Sequence, residues 1–145
     1  MPIVTVPITP GRGPLIDIAI GISGPRAEAL KQAGKPVPHP IRVRGLIDTG
    51  ASCTCIDPSI VQALQLTPTG VGLQYTPSTG DTPAQANLFD VSFFWVATTY
   101  ISYPILSVVE STLANQGIQV LIGRDALEPC LVVYDGIHQI CTISF

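Results

Sequence analysis

Residues 45 to 52 read Gly-Leu-Ile-Asp-Thr-Gly-Ala-Ser. The residues leading into Asp48 (Ile41, Val43, Leu46 and Ile47) suit a half-buried strand, and an ionised carboxylate at the end of such a strand is costly unless it is hydrogen-bonded, paired or functional. A carboxylate can take or give a proton, and the neighbouring hydroxyl and glycine suit a tight loop that presents it. The Asp-Thr-Gly triplet occurs once in the chain. By itself it also reads as a turn in which the aspartate caps its own loop. About seventy residues later comes Val-Leu-Ile-Gly-Arg-Asp-Ala-Leu, positions 120 to 127. Alone, that run reads as a strand ending at Gly123 and a short helix with a solvated Arg124.

Two other groupings carry residue types capable of chemistry. Cys53, Cys55, His138 and Cys141 have the atom types of a zinc site, but the first pair lies in an apolar strand, where free cysteine packs well. His39 and His138 lie in loops with no nucleophile spaced to meet them. Neither grouping is expected to be a site, so no metal and no cofactor are called for. The aromatic stretch of Phe93, Phe94 and Trp95 reads as core or interface.

The elements that must position Asp48 are mostly strands. Fourteen prolines and thirteen glycines cut the chain into short segments rich in Val, Ile, Thr, Tyr and Phe, an all-β pattern. Expected strands are 3–8, 15–22, 41–47, 53–56, 71–76, 86–97, 105–109, 119–122, 131–134 and 139–144, with a tight Asp135-Gly136 hairpin between the last two. Helix is expected only at 27–33 and as a short C-terminal piece at 124–128. Residues 24–40, polar and studded with proline, read as an exposed excursion within a single domain spanning 1–145.

Composition removes several function classes. Hydrophobic residues make up 46% and charged residues 12%, which favours a well-buried domain over disorder. A net charge of −3 with no Lys/Arg cluster gives no footprint for nucleic acid. No apolar run approaches the roughly 20 residues of a membrane span, and the N-terminus lacks the pattern of a signal peptide. The expectation is a cytoplasmic protein with reduced cysteines.

With Leu-Ile-Asp-Thr-Gly-Ala-Ser-Cys-Thr-Cys-Ile followed at that distance by Leu-Ile-Gly-Arg-Asp-Ala-Leu, the chain resembles the retropepsin-like (retroviral-type) aspartic proteases, as a stand-alone single-domain member. The resemblance covers most of the chain outside residues 24–40. It implies a closed β-barrel-like fold and an endopeptidase active as a homodimer on peptide or protein substrates. In that role Asp48, Thr49 and Gly50 form the catalytic loop, Ala51 and Ser52 line the cleft, and Gly123, Arg124 and Asp125 form the structural motif. Residues 71–90 resemble the flap hairpin, with Thr79 and Gly80 at its substrate-facing tip. The end, Ile-Cys-Thr-Ile-Ser-Phe, is similar to the terminal strand that such enzymes interleave across the dimer axis, and Ile3–Thr5 and Ile143–Phe145 have no obvious partner within a small barrel. Many retroviral members carry an aspartate where Ser52 stands, which helps anchor the motif arginine. The partner of Arg124 is therefore open. Two alternatives belong to other classes: a non-catalytic dimeric peptide-binding module on the same scaffold, and an aspartyl-phosphate phosphatase, which needs an Asp-x-Asp spacing and a parallel α/β pattern that the sequence lacks.

Overall fold

Alternation of buried and exposed side chains organises the structure, a computed structural model that describes residues 1–96 and 102–145. Strand β1 is Ile3–Thr9 and β2 is Gly13–Ile22. Along β2, Ile16, Ile18, Ile20 and Ile22 point inward and Leu15, Asp17 and Ala19 outward, the period of two that a pleated strand imposes. Next come α1 (Gly24–Gln32), β3 (Ile41–Ile47), the two-residue β4 (Cys55–Ile56) and α2 (Pro58–Ala63). Strands β5 (Gly70–Gln74), β6 (Ala84–Trp95) and β7 (Tyr103–Glu110) follow. The chain ends with β8 (Val120–Ile122), α3 (Arg124–Leu127), β9 (Leu131–Asp135) and β10 (Ile140–Ser144).

A six-stranded barrel closes because β2 is used on both of its edges. It pairs antiparallel with β3, Ile18 opposite Val43, and with β6, Ile18 opposite Trp95. The ring runs β2-β6-β7-β4-β8-β3 and returns to β2. Two of its joints, β3–β8 and β4–β7, are parallel. Inside lie Ile18, Ile20, Val91, Phe93, Val108, Val120 and Ile122, all fully buried. The aromatic stretch is core, as the sequence suggests for Phe93 and Trp95. Their rings meet edge to face at 4.8 Å, and Trp95 stacks on the C-terminal Phe145 at the same separation. Ala97, the end of the expected strand 86–97, lies outside the described residues.

The all-β barrel is as expected, with corrections in detail. Helix α2 was not foreseen. Its start is written in Asp57-Pro58-Ser59, where the Asp57 carboxylate accepts from the Ser59 N–H and proline occupies the first turn. The expected strand 53–56 shrinks to two residues, because the chain bends at Ser52 and Cys53. The final hairpin is wider than a two-residue Asp-Gly turn. The Asp135 carboxylate accepts from the N–H groups of Ile137 and His138, and Gln139 takes a left-handed φ of 55° to re-enter β10. Residues 24–40 form an exposed excursion carrying α1, held down by Ala27, Leu30 and Val37 against the core. Among the described residues no helix is long and apolar enough to cross a membrane.

The chain ends are not free strands. β10 lies between β1 and β9, with Val4 opposite Ile143 and Ile143 opposite Val132, and Ile143 is fully buried. The expectation that Ile3–Thr5 and Ile143–Phe145 lack partners within the chain is thus overturned: they pair with each other, because the β1-β10-β9 sheet folds back over the barrel. Deleting residues 141–145 should therefore collapse thermal stability instead of leaving a folded monomer, as a melt followed by circular dichroism will register.

Asp57 ties α2 to the segment after β7. Besides capping Ser59 it accepts from the N–H groups of Leu113 and Ala114, both at 2.8 Å. Burial pushes its carboxyl up, but the hydrogen bonds from Leu113, Ser59 and Ala114 outweigh that effect and hold it down at about 2, against 3.8 when free. A folded-state value below the unfolded one contributes stability above the unfolded value, which is lost as pH falls through the folded one. The contribution is about 2 kcal/mol at neutral pH, and it disappears between about pH 4 and pH 2. Asp57→Asn should lower the melting temperature at pH 7 and flatten its fall across that acid window.

Candidate active site

The loop bearing Asp48 is suspended between β3 and the β8–α3 junction. Ile47 pairs with Ile122 in the parallel β3–β8 ladder, and the ladder continues one step further, from the Asp48 N–H to the Ile122 carbonyl at 3.0 Å. The loop then turns, with the Ala51 N–H bonded to the Asp48 carbonyl, and is caught again where the Arg124 N–H meets the Ala51 carbonyl. Within it the Gly50 N–H donates to Asp48 Oδ1 at 2.8 Å. A Cβ on Gly50 would stand 3.0 Å from that oxygen, so glycine lets the backbone come this close to the carboxylate.

Arg124 finds its partners in the backbone. Its Nη1 donates to the carbonyls of Thr49 at 2.9 Å and Gly50 at 3.2 Å. A carboxylate at position 52 is not needed for this, which answers the question left open by Ser52.

Behind the loop sits a residue that sequence reasoning missed. Thr54 is fully buried; its N–H and Oγ1–H donate to the two oxygens of Asp125 at 2.9 and 2.7 Å, and its Oγ1 accepts from the Gly123 N–H at 3.1 Å. Asp125 Oδ1 also accepts from the Ala126 N–H. Gly123 must come this near: a Cβ there would lie 2.4 Å from the carbonyl carbon of Cys53. Gly123, Arg124 and Asp125 thus converge on the loop from one side. The available signal for Thr54 was a hydroxyl residue amid the otherwise apolar Cys-Thr-Cys-Ile run.

Asp48 opens onto a cavity of about 540 Å³, with Gly50, Ala51, Ser52 and Cys53 on its floor. Its opposite wall is Leu73, Gln74, Tyr75, Thr76 and Pro77, the last residues of β5 and the turn beyond. Thr79 and Gly80 lie further out. The Thr79 hydroxyl is occupied within its own turn, accepting from the Thr76 N–H and donating to the Thr76 carbonyl, and Gly80 supplies the left-handed φ of 58° that the tip requires. Thr49 faces away, lining a second cavity with Ser52 and Arg124. Cys55, deep in the cleft, is kept a neutral thiol: burial first, then the neighbouring Cys53, Asp125 and Asp48, push it up to about 12. His138 is in the β9–β10 turn, bonded to Asp135 at 2.7 Å. Among the described residues no three His, Cys, Asp or Glu side chains gather as a metal site would need.

A family model for aspartyl proteases matches residues 34–126, the span from before β3 through Gly123, Arg124 and Asp125. The chain belongs to the aspartyl protease family. No curated protein matches the sequence. Among solved structures, the fold is similar to that of a retropepsin-like aspartic protease from Rickettsia conorii, with a TM-score of 0.56 at 14% identity over 98% of this chain and 90% of that one. It is also similar to an aspartic proteinase from Irpex lacteus, with a TM-score of 0.53 at 15% identity over 99% of this chain but 47% of the other, so this member of the family spans about half the length of that enzyme.

Replacing Thr54 by valine keeps the shape but leaves the buried Gly123 N–H without an acceptor and Asp125 short of one donor. Thr54→Val should destabilise the fold by about 2 kcal/mol in urea unfolding, whereas Thr54→Ser, which retains the hydroxyl, should lose much less.

Proposed function

We propose that this aspartyl protease family member is an endopeptidase in which two copies of the chain each contribute Asp48 to one catalytic pair. The observation that carries the proposal is the Asp48 carboxylate at the mouth of the walled cleft, held by the Gly50 N–H, with a single such motif per chain. Amide hydrolysis by water needs a base to activate the water and an acid to protonate the developing oxyanion and then the leaving amine. Two adjacent carboxylates sharing one proton supply both, and one alone does not.

The surrounding residues take roles consistent with that chemistry. Gly50 gives its N–H to the carboxylate, and Thr49, on the face turned from the cleft, is placed to meet the opposite copy. Ala51 and Ser52 form the floor on which a peptide lies extended. Such a peptide adds as a strand between this floor and the β5–β6 hairpin, its alternate side chains entering apolar pockets beside Leu73 and Tyr75. Thr79 and Gly80 form the tip of a hairpin that closes over the bound peptide and excludes water.

Asp48→Asn should abolish hydrolysis of a mixed peptide library, at least a 1,000-fold loss on an order-of-magnitude scale, while the circular dichroism melt stays that of the folded protein. Wild-type initial rates should fall on both sides of an acid-side maximum, since only the singly protonated pair holds both acid and base. Retained activity in purified Asp48→Asn protein would overturn the assignment, and a folded wild type that binds peptides but never cuts them would favour the binding-module alternative.

A further inference from the structure

Cys53 and Cys55 take no part in the chemistry proposed for Asp48, yet both line its cavity. Thr54, between them, turns the other way into its contact with Asp125, as the period of two in extended backbone requires. Cys53 is half-buried, whereas Cys55 is only 7% exposed and its thiol donates back to the Cys53 carbonyl at 3.9 Å. The side chains also act on each other. Burial first, then Cys53 through its charge and a side-chain hydrogen bond, keeps the Cys55 thiol neutral. One thiol therefore meets solvent in the cleft, and a second stands directly behind it. Cys130 and Cys141 lie elsewhere, the first just ahead of β9 and the second within β10.

We propose that Cys53 and Cys55 form a thiol–disulfide exchange site on the cleft floor, which takes small disulfides of the glutathione class and whose oxidation shuts the cleft. In the first step the Cys53 thiolate attacks one sulfur of glutathione disulfide; that S–S bond breaks, one glutathione leaves, and the other stays bonded to Cys53. In the second, the Cys55 thiolate attacks Cys53 Sγ and expels the remaining glutathione. Two protein thiols have then passed two electrons and two protons to one glutathione disulfide, which departs as two glutathione thiols. Access sets the order. The thiolate is the nucleophile, so the buried, neutral Cys55 reacts slowly with anything in solution and acts only on the disulfide formed beside it. Closing the second bond strains the segment. Alternate Cα atoms of extended backbone stand roughly 6.8 Å apart, the far end of the span a disulfide bridges. The bond therefore draws the segment in and pulls Thr54 away from Asp125 and the Gly123 N–H, the contacts that fix the loop bearing Asp48. Before closure, the bound glutathione occupies the cavity a peptide would enter. Shutting the cleft rests on the endopeptidase reading; the exchange does not.

The test treats the full chain with glutathione disulfide, blocks remaining thiols by alkylation at timed intervals, and maps residues 53 and 55 by peptide mass spectrometry. Wild type should pass through a Cys53–glutathione adduct to a Cys53–Cys55 disulfide that has released both glutathiones. Cys55→Ala should stop at the adduct and keep one glutathione on Cys53. Cys53→Ser should react at Cys55 about tenfold more slowly or less. Circular dichroism melts of the reduced variants confirm that each folds. The oxidised wild type should melt about 3 °C or more below the reduced protein, the reverse of the usual effect of a disulfide, and dithiothreitol should restore the reduced melt. A wild type that leaves Cys53 unmodified or retains glutathione there indefinitely overturns the proposal, as does a Cys55→Ala chain that releases it as wild type does. An oxidised form that melts as high as the reduced one overturns the displacement of Thr54. The two readings fail separately: a folded chain that forms the disulfide but never cuts peptides overturns the endopeptidase and leaves the exchange site standing, whereas one that cuts equally well oxidised and reduced overturns the shutting of the cleft alone.

Discussion

The contact between Thr54 and Asp125 holds the rest of the site in place. One buried hydroxyl and the backbone N–H groups of Thr54 and Ala126 bind the Asp125 carboxylate, and the same hydroxyl receives the Gly123 N–H. Unpaired, any of these groups would carry the full cost of desolvation; satisfied together, they fix two distant chain segments in one arrangement. The close approach is possible only because residue 123 has no side chain. With that join made, Arg124 is aimed at the carbonyls of Thr49 and Gly50, and the loop carrying Asp48 has little freedom left.

Barrel closure acts on the same loop from the other direction. β2 pairs on both edges, and the parallel ladder of β3 and β8 delivers Asp48 and Gly123 side by side at the end of adjacent strands. Parallel neighbours end at the same edge, so two motifs about seventy residues apart in sequence share one rim of the barrel. Fully buried Ile122 and Val120 anchor β8 beneath them. The loop bearing Asp48 is thus irregular backbone on a rigid base, an arrangement that positions a carboxylate without fully burying it.

The proposed acid-side chemistry sets a second constraint. A protein whose proposed chemistry uses a partly protonated carboxylate pair must keep its structural carboxylates ionised at acid pH. Asp57 does so through three backbone N–H donors that outweigh its burial. In the same cleft, burial first, then Cys53 and the carboxylates of Asp125 and Asp48, keep the Cys55 thiol neutral.

Local patterning carried much of the fold. The alternating isoleucines of β2, the apolar run into Asp48 and the strand before Gly123 were legible because each shows its burial in a period of two or a sharp punctuation. Asp57-Pro58-Ser59 marks a helix start that, among fourteen prolines, looks like any other interruption of a strand. The single Asp-Thr-Gly motif and its companion at 120–127 were plain in the sequence, as was the implication of the family. Tertiary structure alone decided the partners. Arg124 binds carbonyls, which every residue possesses and no sequence pattern marks; Thr54 differs from any other strand threonine only in what lies opposite it; and Ile143 is paired because β1 happens to return beside it. These are choices among chemically equivalent groups separated by tens of residues, and the only thing that distinguishes them is which segments the closed barrel brings within hydrogen-bonding distance.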